Sequence, residues 1–271
     1  MRLSSYERQV RQEVETWQTG DESFVSQAIN WAMQPVDWVV RQIVSEDLLD
    51  QADAVVSQSL SILNDASKWT LDSKDLLTRA KSVGLEMETL DDLRECDLEK
   101  LDKLARSFFS ENAILAAVEG GGTGLGGVVF IAADIPLLFA INLRLIQQIG
   151  AAYGFPMDGP EYSPIALSIF NVAASSSREA KNSALREISV AAAALAGEQG
   201  YKGRVSGTFR DQNRHLPREI TKNILGRKLA QTIPIAGAAI GAGVNYWFTT
   251  ETAESAYMLF RALYVERKER L

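Results

Sequence analysis

Apolar residues return at helical intervals along most of this chain. Phe24, Ala28, Trp31 and Val39 trace one face, and Leu90, Leu93, Leu98, Leu101, Leu104 and Phe108 trace another. Alternating strand patterns of any length are missing, as are Asn-Gly or Asp-Gly turns between β-branched runs. Helix-start signals recur instead. Ser4 with Glu7, Thr19 with Glu22, and Thr89 with Asp92 have the spacing of a capping box, in which each side chain bonds the other residue's backbone N–H. Ser163 before Pro164 predicts an N-cap with proline at the first helical position, where its missing N–H costs nothing. The expected fold is all-α: a multi-helix single globular domain.

The map that follows has several charged amphipathic helices in residues 1–110. A glycine-rich apolar hairpin and a long apolar helix occupy 111–155, and one or two Ala/Ser-rich helices occupy 161–200. A basic segment at 202–228 leads into an apolar stretch at 229–248, and a closing amphipathic helix is expected from Thr250. No repeat at solenoid periods and no Pro/Ser-rich linker interrupts this order.

Two stretches depart from the amphipathic pattern. From Gly120 to Leu143 there are 24 residues with one charge, Asp134, and Gln231 to Phe248 is 18 residues with none. Small residues spaced by four (Gly120 and Gly124, Gly122 and Gly126, Gly237 and Gly241) let helix backbones approach closely. Three readings stand side by side: a membrane span, a buried core whose glycines allow tight crossings, and apolar elements that dip into or extract lipid. A span needs about 20 apolar residues. Pro234 and Asn245 shorten the second stretch below that, and Asp134 falls near the middle of the first.

Composition narrows the chemistry. One cysteine, Cys96, and one histidine, His215, exclude an internal disulfide and a Cys/His zinc site. Cys96 lies between Glu95 and Asp97, which disfavours its thiolate, and His215 sits among arginines as an expected solvated side chain. The letters G-x-G-x-x-G at Gly122–Gly127 lack the flanking strand and the later acid of a dinucleotide site, and no lysine follows as a P-loop requires. No cofactor and no metal site are expected.

The net charge of −7 conceals an asymmetry. Residues 1–110 hold 12 Lys/Arg against 21 Asp/Glu, while 202–228 hold eight basic side chains against Asp211 and Glu219. Arg210, Arg214, Arg218, Lys222, Arg227 and Lys228 are therefore candidates for docking on anionic headgroups. Only Tyr201 and Phe209 are interleaved as aromatics, so nucleic acid is not the expected partner. The first 19 residues are polar and amphipathic, unlike a secretory signal, and with one unpaired cysteine they point to the cytoplasm. Asp134 has two readings: an N-cap with Pro136 in the first turn, or a buried carboxylate that meets a ligand or pairs with Arg144. Asn245 lies one and two turns beyond Gly241 and Gly237, on a face where an asparagine bridges packed helices or touches ligand.

At Gly120–Gly127, Ala133-Asp134-Ile135-Pro136, Ile149–Gly154 and Ile233–Phe248 the sequence resembles, in order, the bacterial EcsC family. The resemblance covers roughly residues 70–265 as an EcsC-like helical domain, with 1–69 a more variable amphipathic N-terminal region. Asp134, Pro136, Gly241 and Asn245 match the family pattern, which carries no catalytic residues to this chain. The family takes its name from a gene beside an ABC-type transporter, so the resemblance adds a membrane transporter to the expected partners. The leading expectation is a non-enzymatic, cytoplasmic, peripherally membrane-associated protein that binds lipid or another apolar ligand. The alternatives are an adaptor for a transporter or secretion component and a hydrolase-like enzyme using Asp134.

Overall fold

The computed structural model describes residues 2–20, 26–28, 54–65, 68–69, 71–87, 89–124, 128–175, 177–196 and 237–271, with Ile220, Ile224 and Arg227. Every regular element among them is helical. The longer helices are α1 (Ser5–Thr19), α2 (Ser73–Ser82), α3 (Leu98–Arg106), α4 (Phe109–Gly124), α5 (Val128–Ala152), α6 (Ser163–Ser175), α7 (Arg178–Ala196) and α8 (Gly237–Arg270).

Two of the expected capping boxes form. Glu7 N–H donates to Ser4 Oγ at 3.1 Å while Ser4 N–H donates to Glu7 Oε2 at 2.7 Å, so α1 begins with its orphan donors satisfied. The Thr89–Asp92 box opens a 3₁₀ turn, Leu90–Glu95, rather than an α-helix. At Thr19 the outcome differs: it is the last residue of α1 and its hydroxyl donates back to the Glu15 carbonyl at 3.1 Å, while Glu22 lies outside the described residues. Ser163 also differs. A 3₁₀ turn at Pro160–Tyr162 already leads into α6, so the Ser163 hydroxyl turns back to the Pro160 and Leu63 carbonyls.

The glycine-rich hairpin is built from helix. Gly120 to Gly124 form the last turns of α4, and α5 runs from Val128. Asp134 is consequently not an N-cap, because it stands in the seventh position of α5 with Pro136 inside the same helix. Proline there removes one donor from the i→i−4 ladder. Thr250 starts no new element either. The apolar stretch and the closing amphipathic segment are one helix of 34 residues, α8, about 50 Å long.

The core is arranged around α8, which packs most extensively on α4 and also on α5, α6, α7 and α1. α6 is buried along nearly its whole length, from Pro164 to Ala174. Leu3 and Val10 of the N-terminal region share one hydrophobic cluster with Leu101, Ile149, Phe170 and Leu263, so the described parts of both expected regions fold on a common core. Phe139, Phe170 and Phe248 meet at 5.1 to 6.1 Å between ring centroids, which joins α5, α6 and α8 through aromatic contacts.

α5 ends in a Schellman motif. Phe155 N–H donates to the Gly150 carbonyl at 3.0 Å and Gly154 N–H to that of Ala151 at 2.9 Å, with Gly154 at φ +77°. Gly150 is itself packed beneath Met157 and Phe260: a β-carbon on it would lie 2.7 Å from Phe260 Cζ.

Candidate functional site

Three of the four residues that match the family pattern meet where α4, α5 and α8 cross. Asn245 of α8 donates through Nδ2 to Asp134 Oδ1 of α5 at 3.1 Å; Asp134 is 1% exposed and Asn245 is fully buried. Gly120 of α4 rests directly on the Gly241 carbonyl and on the Asn245 side chain, whose Cγ would lie 2.6 Å from a β-carbon at position 120. The absence of a side chain at Gly120 is thus what lets α4 close on α8. Pro136, the fourth residue, is exposed on α5.

Further along, Asn142 donates to Thr249 Oγ1 at 3.0 Å, and Asn112 donates to Gln148 Oε1 at 3.0 Å. Buried amides therefore tie α5 to α8 and α4 to α5 at three levels. Buried polar groups need such partners, because leaving one unmade costs the full desolvation of that group. The Asp134–Arg144 pairing does not form. Arg144 lies ten residues along the same helix, about 15 Å away, and its side chain is exposed.

Around this buried crossing the surface is apolar. Ile114, Leu115 and Val118 of α4 are 60%, 38% and 67% exposed, Leu137 of α5 is 40%, and Tyr246 of α8 is 46%. Apart from Leu271 at the chain's end, these are all the large hydrophobics exposed among the described residues. α5 runs parallel to α8 and antiparallel to α4, as the Asp134–Asn245, Asn142–Thr249 and Asn112–Gln148 bonds require. Leu137, Tyr246 and Val118 accordingly sit at nearly one level. From Gly237 to Thr250, α8 carries no charged residue.

The opposite half of α8 is ionic, and sequence reading missed its centre. Arg261 is 2% exposed and Asp102 is 3%. Arg261 Nε lies 3.1 Å from Asp102 Oδ2, close enough for a strong ion pair but out of line for a hydrogen bond, so Nε makes none. Asp102 instead accepts from Tyr6 at 2.6 Å and Tyr153 at 2.7 Å, while Arg261 Nη2 donates to Glu13 Oε2 at 2.7 Å. Burial, reinforced by Asp102, holds the Tyr153 phenol well above its usual value, and Tyr6 shifts the same way for the same reasons. Lys268 to Glu7 at 2.6 Å and Arg11 to Glu269 at 2.8 Å complete a clamp of α1 on α8. From α7, Lys181 Nζ donates to the Trp17 and Gly20 carbonyls at 3.0 and 3.1 Å, closing the C-terminal end of α1. One signal for Asp102 existed in the sequence: it is a carboxylate one turn beyond Leu98, on the face formed by Leu98, Leu101 and Ala105.

Of the proposed docking cations, Arg210, Arg214, Arg218, Lys222 and Lys228 lie outside the described residues, as does His215. The Arg227 guanidinium stands 3.8 Å over the Trp247 ring, and Trp247 Nε1 donates to Ser26 at 2.9 Å. Cys96 is half-buried and donates to the Asp92 carbonyl at 3.3 Å. Burial raises its thiol pKa, and Asp92, Asp97 and Glu95 add to this against Lys100. Two clefts open near that turn, one of about 280 Å³ beside Arg94, Gly154 and Phe155 and a wider one around Lys81, Glu86, Asp92 and Lys100. Asp134 lines neither. Among the described residues no group of three or more His, Cys, Asp or Glu side chains is placed to hold a metal ion. Among the described residues one helical segment, Asp134–Ala152, is long and apolar enough to cross a membrane, and 78% of it is buried within the protein, as in a core helix.

No solved structure matches this chain. Two proteins of Bacillus subtilis (strain 168) do. Protein EcsC is 26% identical over 221 residues, covering 82% of each chain. The uncharacterized protein YdbA is 28% identical over 184 residues, covering 64% of this chain and 61% of YdbA, so the match spans less than two thirds of that relative. The model of the EcsC protein family matches residues 8–264, which takes in the glycine crossing, the Asp134–Asn245 pair and the Asp102–Arg261 ion pair, while Glu7, Lys268 and Glu269 of the clamp lie outside it: the chain belongs to the EcsC protein family.

Proposed function

We propose that this chain is a peripheral membrane protein that binds lipid through the glycine-rich end of α4 and the adjoining first halves of α5 and α8. The carrying observation is the gathering of exposed Ile114, Leu115, Val118, Leu137 and Tyr246 around one crossing, where α8 has no charged residue from Gly237 to Thr250. Exposed apolar surface of this kind marks a contact with a membrane or another partner. Two further facts support the membrane. Tyr246 is an aromatic with a polar tip, the side-chain type that favours the bilayer interface. The basic segment 202–228, with its excess of six positive charges, runs in sequence directly into the uncharged stretch that becomes α8. The buried position of Asp134 offers a substrate no approach, which favours binding over catalysis.

Co-sedimentation with lipid vesicles tests this reading. The full chain is expected to pellet with vesicles, and the double variant Ile114→Ser, Val118→Ser to lose about tenfold or more in partitioning. Recovery of the unaltered chain in the supernatant with every vesicle composition would refute it.

A further inference from the structure

Arg144 and Arg186 of α7 are both exposed arginines of the helical body, and of the two it is Arg144 that stands on α5 beside exposed apolar residues. Arg144 makes no ion pair or hydrogen bond among the described residues. It shares a face of α5 with exposed Pro136, Leu137 and Ala140, at intervals of three and four residues. Along that face Arg144 is two turns, about 10 Å, from Leu137 on the side of the charged end. The acids at its level on α8 are Glu251, which is buried, and Glu254, which is half-buried; on α4 the exposed Glu111 is paired with Arg79. An apolar face with one unpaired cation two turns above its most apolar residue has the dimensions of an interfacial contact. Such faces enter about 5–10 Å into the boundary of headgroups and acyl chains.

We propose that Arg144 takes the phosphate of an anionic lipid while Leu137, Val118 and Tyr246 enter the acyl boundary. This rests on the membrane reading above and adds to it a lipid class, a contact residue and a depth. The arginine suits the task for two reasons. Its planar fork bonds phosphate oxygens bidentately, and its aliphatic stem lies along apolar surface while the charge stays at the interface. Asp134 cannot neutralise it, being buried about 15 Å away and bonded to Asn245.

The test compares the full chain with Arg144→Gln and Arg144→Lys on vesicles of phosphatidylcholine alone and on vesicles containing phosphatidylglycerol. Arg144 is exposed and holds no hydrogen bond or ion pair among the described residues, so circular dichroism should show all three proteins equally folded. The expected result is that Arg144→Gln loses about fivefold on the anionic vesicles and clearly less on phosphatidylcholine, whose phosphate is already balanced by its own choline cation. Arg144→Lys should retain most of the anionic preference. Equal binding of Arg144→Gln and the unaltered chain to anionic vesicles would overturn the role of Arg144 and leave the membrane reading intact. Failure of the unaltered chain to bind either vesicle would overturn both.

Discussion

Gly120 and Asn245 compete for one volume: a β-carbon on the glycine would lie 2.6 Å from the asparagine Cγ, with the Gly241 carbonyl on its other side. Backbone cannot retreat as a flexible side chain can, so Gly120→Ala must push α4 off α8 or break the Asn245–Asp134 bond. The expected cost is about 1–3 kcal/mol, read as a lowered midpoint in urea. Gly122, two residues on, has nothing within 4 Å of its would-be β-carbon. Gly122→Ala should therefore raise stability by roughly 0.5–1 kcal/mol through helix propensity alone.

Gly154 makes a different demand. Its φ of +77° closes the Schellman turn of α5, and a β-carbon would meet Arg94 Cγ at 2.7 Å and Arg94 N at 2.9 Å. Gly84 has the same φ and open space around it. Alanine at position 84 should cost only the left-handed conformation, about 1–2 kcal/mol, whereas alanine at 154 should cost clearly more because it also displaces Arg94. Thermal melts of the two variants side by side separate backbone strain from steric conflict.

Removing Asp102 would leave the buried Arg261 with the half-exposed Glu13 as its remaining carboxylate and the Tyr6 and Tyr153 hydroxyls without their acceptor. Asp102→Ala is expected to destabilise by about 3–5 kcal/mol. Tyr6→Phe should cost less, about 1.5–3 kcal/mol, since only one hydrogen bond to a charged group is lost. Near additivity of Asp102→Ala and Tyr6→Phe in a double variant would show that the bond between them contributes nothing.

Acid should loosen the clamp. Burial pushes the Glu7 carboxyl up, but the bonds from Lys268 and Ser4 outweigh it and hold the value below that of a free glutamate. For Glu13, burial is likewise outweighed by Gln9 and Arg261. A depressed carboxyl stabilises the fold above its unfolded value of about 4.3, and that contribution is lost as pH falls through the folded value. Glu254 runs the other way: burial raises its carboxyl, with Glu251 adding to burial and Arg106 opposing it. Its contribution is present below about 4.3 and is lost as pH rises through the folded value. Urea midpoints across acidic to neutral pH should show Glu7→Gln flattening the acid limb. Glu254→Gln should gain stability over the unaltered chain near neutrality.

The helical class and the capping at Ser4 and Thr89 were legible in the sequence because each rests on neighbours within a few residues, and the family resemblance because it rests on the order of short motifs along the chain. What depended on distant partners was not. Asp134 before Pro136 has the local look of a helix start, yet Asn245, 111 residues away, gives the carboxylate a partner that makes an interior position tolerable. The glycines of α4 look like a turn by propensity, and only the bulk of Asn245 and the Gly241 backbone opposite explain why helix persists there. Thr250 resembles a fresh start for the same reason. Its hydroxyl bonds the Tyr246 carbonyl at 2.8 Å, so a residue that caps helices elsewhere is absorbed into α8. Asp102 and Arg261 are 159 positions apart and nothing local pairs them, although a carboxylate on an apolar stripe was a visible anomaly.

The parallel course of α5 and α8 has an electrostatic consequence that no side chain reveals. Both helices begin at the glycine-rich end, where α4 finishes. A helix start behaves as roughly half a positive charge and a helix finish as half a negative one. Among these three helices, two starts against one finish make a net positive contribution of backbone origin at this end. At the far end of α8, Arg267, Lys268 and Arg270 occupy the last turn and offset the opposite pole. The charge-free start of α8 from Gly237 to Thr250 therefore still carries a field from its backbone, and substitution of its side chains by other uncharged ones would leave that field in place.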